Sequence, residues 1–211
     1  MADLSTPRTS PAAADERPEL LIFCGIAGLV GAVVPTALNL VAGTIAQHDF
    51  IADTISDLGR GPHKWIMDTG FYISAASLLS LAIGTAHLHL GRLGWSLGIF
   101  TLSLAALVTV LLGLWDKFGG TGDMSVHTQL SFLLAPLYLA GPILMARGVA
   151  EVSRPMSLSF YASAGLWIVF ATAFKLGPDS VDGLLEKLAF LATLFWTVPL
   201  SWLLLQRDRG S

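Results

Sequence analysis

Charge and cysteine are what this 211-residue chain has least of. Only 13% of its residues are Asp, Glu, Lys or Arg, against 54% hydrophobic ones, and its mean hydropathy is +0.68. A soluble domain carries about a quarter of its residues as charges, so a water-exposed globule is excluded. The one cysteine, Cys24, lies inside an apolar run and excludes a disulfide framework within one chain; it reads as a small packed core residue. A net charge of −3 removes the basic footprint that a nucleic-acid partner requires. The chain also lacks ten-residue segments of alternating polarity, which a membrane β-barrel would need.

What the chain has is six long runs free of Asp, Glu, Lys and Arg. They extend over Leu20–His48, Thr69–Gly91, Leu93–Trp115, Met124–Ala146, Pro155–Phe174 and Leu188–Gln206. Each reaches the roughly 18 to 20 residues with which a helix crosses about 30 Å of hydrocarbon. Backbone groups in lipid must be satisfied within the segment, so each run is expected to be a helix. The expected fold is all-α, a bundle of six transmembrane helices over residues 20–207, with a disordered tail over 1–19 and a short tail over 208–211. Thr44 and Ala46 resemble a signal-peptide cleavage site, but the first run exceeds a signal peptide's apolar core and the tail before it is not strongly basic.

An even number of crossings puts both ends on one side of the membrane. If that side is cytoplasmic, its segments hold Arg8, Arg17, Arg92, Arg147, Arg154, Arg207 and Arg209. The opposite loops hold Arg60, Lys64, Lys117, Lys175 and Lys187. The short, almost purely basic loops on the first side follow the positive-inside rule. The expectation is a cell-membrane protein with cytoplasmic termini and membrane lipids as neighbours.

Within the runs, Gly70, Ser74, Ser77, Ser80, Gly84 and His87 form a stripe of mainly small residues at helical spacing, and Gly94, Gly98, Ala105, Thr109 and Gly113 form another. Such stripes serve close helix packing. Pro35, Pro136, Pro142 and Pro199 each remove a backbone hydrogen bond inside a run. Trp65, Trp115 and Trp202 fall near span ends, where indoles anchor at the interface. His87 and His89 stand two apart on a helix and do not face one ligand together.

The remaining chemistry gathers at the outer ends. The first outer loop contains Ser56, Asp57 and His63, and the next runs through Asp116 to Asp123 and on to His127. The last helix opens on Gly183-Leu-Leu-Glu186-Lys187. Asp57, His63, Asp116, Asp123, His127 and Glu186 therefore reach a common depth. His127 and Ser131 are one turn apart and face one pocket; Glu186, Thr193, Thr197 and Ser201 share one side of the last helix. A carboxylate such as Glu186 at a membrane helix end needs hydration or a partner, and Lys187, Lys175 or Arg60 is in reach by topology. Asp68, Asp123 and Asp182 precede apolar helices and read as caps. Gly119, Gly120 and Gly122 read as an anion nest or a flexible connection.

Three of these segments together resemble a family. Ser56-Asp57-Leu58-Gly59-x-Gly61-Pro62 after the first helix, Asp123 with His127 entering the fourth, and Gly183-x-x-Glu186-Lys187 entering the sixth resemble the landmarks of bacterial and archaeal membrane proteins grouped as domain of unknown function 998. The resemblance covers about Leu20 to Arg207 and implies six membrane helices without implying an activity. The chain has Leu114-Trp115-Asp116 where that family's pattern suggests Phe-Pro, and Lys187 where Arg is usual.

Two functional readings follow. In the first, the outer cluster is a polar pocket that binds a lipid or other amphiphile or serves an accessory role, with Ser56, Asp116, Asp123 and Ser131 lining it. In the second it is an interfacial hydrolase or transferase, with or without a divalent metal. His127 is then the base or metal ligand and Asp57, Asp123 or Glu186 the orienting carboxylate. One histidine among carboxylates does not name a metal or a cofactor.

Overall fold

The six apolar runs are six helices in a computed structural model that describes residues 17–88, 90, 93–114 and 125–207. Helix α1 spans Pro18–Ile45, α3 Lys64–His87, α4 Leu93–Gly113, α5 Val126–Ala150, α6 Arg154–Leu176 and α7 Asp182–Arg207; the four-residue α2, Ile55–Leu58, lies in the first long loop. A 3-10 turn over Asp179–Val181 leads into α7. All six long helices are long and apolar enough to cross a membrane. Large apolar side chains such as Phe23, Val33, Phe100 and Leu158 stand exposed on the outside of the bundle. That is unfavourable in water and natural against lipid. The molecule is a multi-pass membrane protein.

Each long helix packs on its neighbour in sequence, and α1 packs on α7, so the bundle closes into a ring. Across the ring α3 also meets α7. Small residues set the spacing where α1, α3 and α7 converge. A methyl group added to Gly31 would lie 2.1 Å from Cβ and Oγ of Ser77, and Ser77 donates to the Gly28 carbonyl at 3.3 Å. Backbones this close gain dispersion along their length, which substitutes for the hydrophobic effect inside lipid. The small stripe of α3 thus divides. Ser77 and Gly84 pack against α1, while Gly70 and Ser74 line a cavity.

The two halves of the bundle differ. Near the Pro18 and Gln206 ends the interior is solid, filled by Leu21, Leu81, Leu102, Met145, Phe160 and Leu200, each at most 1% exposed. The opposite half is hollow, with a cavity of about 750 Å³ reaching from Pro35 and Asn39 of α1 across to α5, α6 and α7.

Helix starts differ from the bare apolar runs because ionisable residues are satisfied inside first turns. Asp68, read from the sequence as a cap, lies one turn inside α3, paired with Lys64. His63 occupies the cap position there. The terminal tails, His89, Arg92, Trp115, Asp116, Lys117, the Gly119–Gly122 stretch and Asp123 lie outside the described residues.

Candidate functional site

The site is built on the loop between α1 and α3. Asp49 starts it: its Oδ1 accepts from the amides of Ile51 at 2.8 Å and Ala52 at 3.2 Å, and its own amide donates to Asp53 Oδ2 at 2.8 Å. Those two amides hold the Asp49 carboxyl below the usual carboxylate range. His48 Nε2 lies 3.0 Å from the Thr54 carbonyl. Thr54 and Asp57 then form a reciprocal capping box: the Asp57 amide donates to Thr54 Oγ1 at 3.3 Å, and Asp57 Oδ2 accepts from the Thr54 amide at 2.9 Å. This box winds the single turn of α2. Gly59 caps the turn, and Gly61 leaves it at φ +77, a conformation glycine adopts without strain.

The turn aims Ser56 inward. Its Oγ lies 2.8 Å from His127 Nε2 and 3.2 Å from Glu186 Oε1. Glu186 Oε2 accepts from the Ile55 amide, so the carboxylate satisfies the exposed start of α2 while gripping the Ser56 hydroxyl. His127 is 9% exposed and stands in the first turn of α5, whose cap is Ser125 accepting from Thr128. One serine hydroxyl therefore joins α2, α5 and α7.

The last helix is tied to the same loop by its backbone. Gly183 and Leu184 donate to the carbonyls of Ala52 at 3.1 Å and Ile51 at 2.9 Å. Lys187 Nζ donates to the Asp53 and Gly183 carbonyls at 2.8 and 3.2 Å. A side chain at position 183 would collide with the Asp53 backbone. The three sequence landmarks around Ser56, His127 and Gly183–Lys187 are thus one contact.

The expected site residues fall into three groups. Ser56, His127, Ser131 and Glu186 line the cavity together; the Ser131 hydroxyl donates to the His127 carbonyl at 3.0 Å. Asp57 does not join them. Its carboxylate turns away to cap α2, with Arg60 Nη1 at 3.9 Å from Oδ1. Asp116 and Asp123 lie outside the described residues. Glu186 meets an amide and a hydroxyl in place of the cations within reach, because the start of α2 presents those donors closer. Of its side of α7, Thr193 lines the cavity, whereas Thr197 and Ser201 are buried deeper in the bundle.

Asn39 and Lys175 also line the cavity. Asn39, the only asparagine in the chain, was not singled out above, although a lone amide inside an apolar run is a costly group that marks an interior surface. Among the described residues no three His, Cys, Asp or Glu side chains are grouped so as to hold a metal ion.

The ring of six helices, solid at one end and hollow beneath a Ser–His–Glu cluster at the other, defines a class of multi-pass membrane protein. Within it, the chain belongs to the family described as protein of unknown function (DUF998), whose model matches residues 21–203. No curated protein and no solved structure matches the chain. At the last of the three landmarks, the single ammonium of Lys187 reaches the two carbonyls available there.

Proposed function

We propose that the protein binds an amphiphile in this cavity, its chain among the apolar walls and its head at the end where Ser56 and His127 lie. The observation that carries the reading is the cavity itself. At about 750 Å³ it lies within the usual range for ligand sites, and its walls are mainly apolar with polar atoms converging at one end. Apolar walls such as Phe71, Leu134 and Leu139 gain by covering an aliphatic chain, whereas the polar end satisfies a head group. The head lies at the end of the bundle away from Pro18. The basic turn with Arg147 and Arg154 lies at the other end, which supports cytoplasmic termini in a cell membrane and a site on the outer side.

Extraction of detergent-purified protein with organic solvent, followed by mass spectrometry, tests the reading. About one amphiphile per chain is expected in the wild type, and loss of it in Ala171→Trp, which fills the cavity. Wild-type protein without a bound amphiphile would sink the idea.

The 2.8 Å Ser56–His127 contact favours a second reading, an interfacial hydrolase or transferase. A hydroxyl within reach of an imidazole is the geometry in which a serine attacks an ester carbonyl while histidine takes its proton. Here Glu186 holds Ser56, so it positions the hydroxyl and does not orient His127. Turnover of ester lipids by pure protein, lost in His127→Ala at unchanged thermal stability, is the expected sign. Equal turnover in that variant excludes this chemistry.

A further inference from the structure

Two formal charges line the cavity, and they are treated differently. Glu186 accepts on both oxygens, from the Ile55 amide and the Ser56 hydroxyl. Lys175, in the last turn of α6, lies against two aromatic rings: its Nζ is 5.1 Å from the Phe132 ring centroid and 4.8 Å from that of Phe174. No carboxylate lies within ion-pair distance of it among the described residues. Aromatic faces stabilise an ammonium without neutralising it, so Lys175 keeps a positive charge that no carboxylate among the described residues pairs with.

The same region is where the cavity meets the outside of the bundle. Phe132 of α5 and Ile168 and Leu176 of α6 line the cavity and are also 54%, 46% and 82% exposed. The opening therefore lies between α5 and α6, toward lipid, with Lys175 at its rim. A lysine near a helix end often extends to the interface merely to keep its charge hydrated. That accounts for its position. It does not account for its place on the rim of an apolar cavity whose own carboxylate is already satisfied.

We infer that the ligand is an anionic amphiphile, with a phosphate or carboxylate head, which enters sideways between α5 and α6 and sets its charge against Lys175. The inference rests on the cavity reading above and adds the charge of the head and the route. A phospholipid and a free fatty acid share this chemistry.

Wild type, Lys175→Gln and Lys175→Arg, stripped of bound lipid, are each equilibrated with equimolar phosphatidylglycerol, phosphatidylcholine and oleate, and occupancy is read by native mass spectrometry. The wild type is expected to prefer an anionic ligand over phosphatidylcholine by roughly fivefold, the worth of about one interfacial charge. The preference falls to near parity in Lys175→Gln and is retained in Lys175→Arg; whichever anion dominates names the source. Lys175 is exposed at a helix end, so Lys175→Gln is expected to keep the wild-type melting temperature. Binding without preference for an anion, or a preference that survives Lys175→Gln, overturns the inference and leaves the cavity reading standing. No binding of any of the three overturns both.

Discussion

A methyl group on Gly183 would stand 2.0 Å from the carbonyl oxygen of Asp53 and 2.6 Å from its carbonyl carbon. These are backbone atoms, held in place by the hydrogen bonds of Gly183 and Leu184 to Ala52 and Ile51. Gly183→Ala is therefore expected to push α7 off the loop and destabilise the protein by about 1–3 kcal/mol, the usual cost of overpacking. A lower melting temperature in detergent checks this. A melting temperature equal to wild type means that the two backbones do not approach as described.

Glu186 separates charge from hydrogen bonding. Glu186→Gln keeps an oxygen for the Ile55 amide and should retain most of the stability, because Ser56 is able to accept from the new amide and donate to His127. Glu186→Ala leaves the Ile55 amide without its acceptor, at a cost of roughly 1–3 kcal/mol. The order of unfolding midpoints, wild type and Gln above Ala, is the expected result. Equal losses in both variants would show that the negative charge, and not the acceptor, matters.

The α1–α3 contact is expected to respond to exchange of size between its partners. Gly31→Ala forces a methyl into Ser77 and should destabilise, whereas Gly31→Ala with Ser77→Gly returns the space. Thermal melts of the two singles and the double should show coupling of roughly 1–3 kcal/mol, reduced by the lost Ser77–Gly28 hydrogen bond. Strict additivity would falsify the contact.

Acid should loosen the α1–α3 loop at Asp49. Its carboxyl is held below the ordinary value chiefly by the Ile51 and Ala52 amides. A depressed folded pKa favours the charged form in the native state. Its contribution is therefore complete above the unfolded value of about 4 and is lost as pH falls through the folded one. Hydrogen exchange of the Ile51 and Ala52 amides, followed as pH falls from about 5 to well below the unfolded value of about 4, should quicken more in wild type than in Asp49→Asn, after correction for intrinsic rates. An identical pH profile in the variant removes the ionised carboxylate from the account.

Much of the fold was legible along the chain because lipid imposes one rule on every residue that crosses it. An uncharged stretch long enough to cross must hydrogen-bond to itself, so six apolar runs meant six helices. The candidate site was legible in part. Ser56, His127 and Glu186 stood out as polar groups at span ends. Asp57 looked equivalent to them in sequence, yet its place three residues after Thr54 gave it a local partner, and the capping box claimed its carboxylate. Lys175 read as one of three cations in reach of Glu186, since nothing along the chain says that an amide and a hydroxyl reach that carboxylate first. Asn39 was hidden in a run defined by its lack of ionisable groups.

The sequence by itself determined the membrane habit, the helices and the end of the bundle at which polar chemistry collects, since these follow from composition and spacing. Only the tertiary structure decided that Ser56 bridges His127 and Glu186, that Gly183 admits the Asp53 backbone, and that one half of the ring is hollow. Those depend on contacts between residues 71 and 130 positions apart. Such contacts are set by how whole helices close into a ring, and no local propensity encodes them.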